Sequence, residues 1–167
     1  MPATYEPIST QTLGSAAATV TFSSISGTYT DLRLIYQTGM SSAGNEPYLR
    51  FNSDSSSLYS ATILYGNGTS ALSLRSSIAT AIQMARDVGL PTAIESVTTV
   101  DIMNYTNTTT FKTALIRTNK GSATYLQAGA YVALYRSTSA ITSIDLSTSA
   151  GNFVSGSTFT LYGIKAA

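Results

Sequence analysis

The feature that most constrains this chain is how closely its turn-formers are spaced. Ser26-Gly27, Gly39, Ala43-Gly44-Asn45, Asn52-Ser53-Asp54, Gly66-Asn67-Gly68, Asn119-Lys120-Gly121, Gly151-Asn152 and Gly156 divide it into short runs. Glycine supplies positive φ at such reversals, and Asn, Asp and Ser bond their own backbone. The runs between them carry strand chemistry. Residues 31–36 alternate, with Leu32, Leu34 and Tyr36 on one face, residues 71–75 alternate as well, and residues 97–105 are long and β-branched. Further runs cover 19–22, 48–51, 59–64, 111–118, 123–135, 141–146 and 159–164. About ten short strands with close turns predict an all-β sandwich or barrel. The turn at 119–121 reads as a hairpin. One stretch competes as a short helix, 78–88, where Ile78, Ile82 and Ala85 share a helical face but Thr80 and the lack of caps oppose it.

The surface this fold exposes is unusual in its chemistry. Charged residues are 10% of the 167, against a usual value of about 25%, while Ser and Thr number 25 and 26. Thr fits a pleated, half-buried surface. A surface so poor in charge has little electrostatic protection against association, which suits a component of an assembly. The nine Lys and Arg are spread from Arg33 to Lys165 without a cluster, so no nucleic-acid partner is expected. No apolar stretch approaches the roughly 18 residues of a membrane helix, and no basic segment leads into an apolar run, so neither a membrane partner nor a secretory signal is expected. An extracellular-looking composition without an export signal fits release by cell lysis.

The missing residues matter for chemistry. The chain has no His and no Cys. That removes the commonest general base, the commonest zinc ligands and thiol nucleophiles, and makes a Ser–His–Asp triad impossible. The eight carboxylates are Glu6, Asp31, Glu46, Asp54, Asp87, Glu95, Asp101 and Asp145, and no local motif pairs two of them for glycoside hydrolysis. An enzyme is therefore not expected, and no cofactor or metal is expected. Asn52-Ser53-Asp54-Ser55-Ser56-Ser57 offers oxygen ligands of the kind calcium takes, but reads better as an Asx-stabilised turn. The glycosylation pattern Asn-x-Thr at Asn67, Asn104 and Asn107 arises easily in so Thr-rich a chain. Gly66-Asn67-Gly68 lacks the Lys and helix of a phosphate loop. The 11 Tyr read mainly as strand packing or protein interface, with a sugar-binding platform as the alternative.

Several stretches together resemble a family of small virion proteins of tailed bacteriophages. They are Ser26-Gly27-Thr28-Tyr29-Thr30-Asp31-Leu32-Arg33-Leu34, then Leu49-Arg50-Phe51-Asn52-Ser53-Asp54 with Tyr59-Ser60. Asp101-Ile102-Met103-Asn104-Tyr105-Thr106-Asn107 leads to Phe111-Lys112-Thr113, and Tyr135-Arg136-Ser137-Thr138 leads on to Ile144. Gly151-Asn152-Phe153 and residues 156–164 close the set, and residues 8–17 open it. Family members often carry Trp where this chain has Tyr135. The resemblance implies a jelly-roll-like antiparallel β-sandwich on the outer surface of a phage particle, assembled in the host cytoplasm. It implies a capsid cement or decoration protein that bridges neighbouring subunits of the major capsid protein. A homotrimer suits local threefold positions of such a shell. The alternative is a tail-fibre or receptor-binding module recognising host-surface polysaccharide.

Within that frame, residues 1–12 are expected as an extended N-terminal arm and residues 13–167 as a single sandwich domain. Pro2 and Pro7 oppose helix and central-strand pairing. Tyr5 and Ile8 are apolar groups that a solvated tail does not need. Pro2, Tyr5, Pro7 and Ile8 are thus the expected capsid-attachment residues.

Overall fold

Alternation becomes architecture wherever one face of a run is apolar. The computed structural model describes residues 4–85, 89–121 and 126–165, and these form twelve strands. They are β1 (Tyr5–Thr12), β2 (Thr19–Phe22), β3 (Asp31–Thr38), β4 (Pro47–Phe51), β5 (Tyr59–Gly66) and β6 (Ala71–Ala79). Then come β7 (Ile82–Gln83), β8 (Ser96–Met103), β9 (Lys112–Gly121), β10 (Leu126–Tyr135), β11 (Ile144–Thr148) and β12 (Thr158–Ile164). All pairs are antiparallel, in an eight-stranded sheet ordered β1-β12-β3-β8-β9-β10-β5-β6 and a four-stranded sheet ordered β2-β11-β4-β7.

Eight of these strands make a jelly roll. The pairs β1–β12, β2–β11, β3–β8 and β4–β7 are a long antiparallel ribbon. Wrapping it adds β3–β12 in one sheet and β4–β11 in the other. Successive strands of the roll therefore switch sheets, except at the central β4–β7 pair, as two interlocked Greek keys require. The remaining strands are two inserted hairpins, β5–β6 between β4 and β7, and β9–β10 between β8 and β11. They add side by side to β8 and double the width of one sheet.

The core lies between the sheets. Leu32, Leu34 and Tyr36 of β3, Val100 and Ile102 of β8, and Phe159 and Leu161 of β12 face Val20, Phe22, Leu49, Phe51, Ile144 and Leu146 of the smaller sheet. Where the larger sheet overhangs, its inner face carries Tyr59, Ile63, Ile116, Tyr131 and Tyr135, and Met84, Ala85 and Leu90 from the β7–β8 connection join the same cluster. Six of the 11 tyrosines, at 36, 59, 65, 105, 131 and 135, are buried in this core. At the rim of the overhang Lys112 is buried, and its ammonium donates to the carbonyls of Thr110 at 2.9 Å and Thr138 at 3.2 Å. Loss of water around it pushes its pKa down.

One sequence expectation needs correction, and one competing reading falls away. Residues 5–12 are extended, but as the edge strand β1, paired with β12 from Tyr5↔Ile164 to Thr12↔Thr158. Pro7 is tolerated there because an edge strand has a free side, and a bulge between Pro7 and Ser9 sets Ile8 apart from the ladder. Residues 78–88 contain no helix among the described positions; β6 runs to Ala79 and β7 begins at Ile82. Arg86, Asp87 and Val88 lie outside the described residues. The 3.6-residue spacing of Ile78 and Ile82 is accidental, since Ile78 is 73% exposed and Ile82 is buried.

Candidate functional site

Side chains alternate across a strand, so register alone lays out the outer face of the larger sheet. One row crosses all eight strands: Pro7, Tyr162, Arg33, Asp101, Leu115, Val132, Thr62 and Arg75. The next row runs Thr10, Thr160, Ile35, Thr99, Arg117, Ala130, Leu64 and Ser73. At the middle of this face is an ion cluster. The Asp101 carboxylate, largely shielded, accepts a bond from Arg33 Nε and lies 3.7 Å from Arg117 Nη2. The bond to Asp101 raises the Arg33 pKa further above its usual value. Arg33 also lies over the Tyr5 ring, 5.3 Å from its centroid.

Past the cluster the surface turns apolar. Leu115 is 43% exposed, Val132 55% and Leu64 60%. Leu115 and Val132 are directly opposed across β9 and β10, and Leu64 opposes Ala130 one row on. A depression of about 360 Å³ opens between Thr62, Leu64, Leu115 and Val132, and another of about 680 Å³ between Leu64, Leu72, Arg117 and Ala128. Single exposed apolar residues are ordinary, but adjacent ones on three neighbouring strands mark an interaction surface. All three belong to the inserted hairpins. On the same face stand Arg33, Arg75 and Arg117 against the carboxylates of Asp101 and Asp31, so these groups leave it net positive.

The expected attachment residues divide. Tyr5 and Pro7 are exposed on the outer face, and Pro7 shares a row with Leu115 and Val132, but β12, β3 and β8 stand between. Ile8 is partly buried against the core. Pro2 lies outside the described residues. Leu64, Leu115 and Val132 are not nominated by turn or motif reasoning. The signal that finds them is apolar chemistry on both faces of one strand: the uninterrupted run 130–135 for Val132, Ile63-Leu64-Tyr65 for Leu64 and Ala114-Leu115-Ile116 for Leu115.

Neither a protein-family model nor a curated protein matches the chain.

The weak motifs resolve into local structure. Asp54 Oδ1 accepts the Ser56 backbone N–H at 2.8 Å and the Ser56 hydroxyl, and its Oδ2 accepts the Tyr135 hydroxyl at 2.7 Å. These bonds, that of the Ser56 hydroxyl foremost, hold its pKa below the usual carboxylate value. Asn52, at φ 56°, donates to the Ala140 carbonyl and accepts from Thr142 N–H, tying two loops together. This is the Asx-stabilised turn, extended into a clamp. Asn67 and Asn107 spend their side-chain oxygens on the backbone N–H groups of Thr69 and Thr109, two residues on. Their Asn-x-Thr patterns are turn chemistry.

Proposed function

We propose that the chain is a structural protein of a tailed-phage virion, a cement or decoration protein that docks on the major capsid protein and bridges neighbouring subunits. The observation that carries the proposal is the apolar strip Leu64–Leu115–Val132 on the outer face of the eight-stranded sheet, with arginines on the same face. A broad sheet face suits a partner that is itself a continuous shell. Burying the exposed halves of three aliphatic side chains yields on the order of 1 kcal/mol each before ordering costs. One copy therefore attaches weakly, and a symmetric assembly, such as the trimer expected from the sequence, multiplies weak contacts into lasting occupancy. The jelly-roll architecture is compatible with the family resemblance described above. The excess of arginines favours capsid surfaces that present carboxylates at the rim of an apolar centre.

The test uses particles lacking the protein, mixed with purified chain. Leu115→Lys and Val132→Lys, made singly and together, leave the fold intact because both positions are on the outer face. The double variant is expected to lose about tenfold or more in occupancy at limiting concentration. Undiminished occupancy by the folded double variant rejects this face as the attachment surface. A copy number of a handful per native particle, in place of hundreds, rejects the head location.

A further inference from the structure

The outer face of the smaller sheet points away from the docking face and has the opposite chemistry. On β4 the outward residues are Tyr48 and Arg50. Register sets Tyr48 between Ser147 of β11 and Gln83 of β7, and Arg50 beside Asp145. Most of these groups are held in place. Arg50 Nε donates to the Thr80 carbonyl at 2.9 Å, Asp145 accepts from Thr21 at 2.8 Å and from Ser53 at 3.0 Å, and the Gln83 amide donates to Glu46. The Tyr48 hydroxyl, both Nη groups of Arg50 and the Gln83 carbonyl oxygen have no partner among the described residues. They line a depression of about 350 Å³, within the range for small-ligand sites. Its wall is Ile78, a β-branched residue held at φ 56° and 73% exposed. That backbone conformation is costly for such a side chain, and it raises an apolar group beside the ring.

We propose that this platform is a saccharide site, seating one neutral pyranose ring on Tyr48. A pyranose presents an apolar C–H face and a rim of hydroxyls. One aromatic ring flanked by fixed, unsaturated donors and acceptors matches both. The charges disfavour an anionic ligand, because Glu46 is bonded to Gln83 and Asp145 stands beside Arg50. An extended peptide is excluded by β7, whose two residues offer no ladder to a further strand.

The experiment follows tyrosine ring signals by NMR in protein carrying ¹³C-labelled Tyr, with Tyr48 assigned from Tyr48→Phe. Soluble neutral hexasaccharides based on glucose, mannose, xylose and N-acetylglucosamine are titrated to millimolar concentration. The expected result is a saturating shift of the Tyr48 signals with at least one of them. Gln83→Ala is expected to weaken that binding about tenfold, and Tyr48→Ala to abolish it, while the Leu115→Lys, Val132→Lys double variant binds as the parent does. That last comparison separates this proposal from capsid docking, which rests on the other face. No Tyr48 shift with any of the four sugars overturns the proposal, as does undiminished binding by Tyr48→Ala.

Discussion

At the scale of single residues, the most informative group is Tyr135. It is buried, stacked on Tyr59 with ring centroids 4.8 Å apart, and its hydroxyl reaches the Asp54 carboxylate. Burial pushes its pKa up, and the nearby carboxylate adds to the shift. Tyr135, where members of the family that the sequence resembles often carry Trp, thus uses its polar tip to hold the 52–57 turn against the sheet, which an indole at the same site can do only as an N–H donor. Tyr135→Phe is expected to cost about 1–2 kcal/mol at neutral pH, the range for a partly exposed bond to a charged group. Because Asp54 is held below its unfolded value, its contribution is present above that value and fades as pH falls through the folded one. The gap between parent and Tyr135→Phe should therefore narrow below about pH 4. Urea unfolding at neutral pH and near pH 3 checks both statements; a gap independent of pH shows that packing, not the carboxylate, carries the effect. That Tyr135 belongs to a strand was legible in the sequence. That its hydroxyl serves the Asn52–Asp54 turn was not, because the two are brought together only by the pairing of β5 with β10.

At the scale of elements, strands with strict alternation were readable and those without it were not. β3 and β9 bury every second residue, and their expected positions match to within a few residues. β1 breaks the period at its bulge and has no fully buried residue, so it reads as an arm. β7 is two residues long and carries no period at all. The apolar strip was hidden for a different reason. Leu115 and Val132 sit in runs that are apolar on both faces, and only the width of the partner sheet decides which face is covered. The pairing of β1 makes a distinct prediction. Deleting residues 1–12 removes a full strand from the edge of the sheet and uncovers β12, whose inner face includes Phe159 and Leu161. The truncated protein is expected to lose several kcal/mol of stability and to aggregate through its new edge. Thermal unfolding and light scattering test this, and a truncated chain with unchanged midpoint restores the reading of these residues as an arm.

At the scale of the whole molecule, the ribbon that builds the roll joins distant parts of the chain. β1 pairs with β12 and β2 with β11, so the roll closes only when both ends are in place. Such non-local pairing folds slowly, and refolding from urea is expected on the millisecond-to-second scale or slower, as for other sandwiches. Stopped-flow tyrosine fluorescence measures it; a microsecond phase carrying the full amplitude contradicts that order of events. The two inserted hairpins stand outside this closure. They lengthen one sheet without altering any of the roll's own pairs, and they hold every member of the apolar strip. The scaffold and the proposed docking surface are therefore written in separate stretches of sequence. A lineage can rewrite residues 59–79 and 112–135 to reshape that face while inheriting the roll intact, and the same two stretches mark where a foreign hairpin pair can be transplanted.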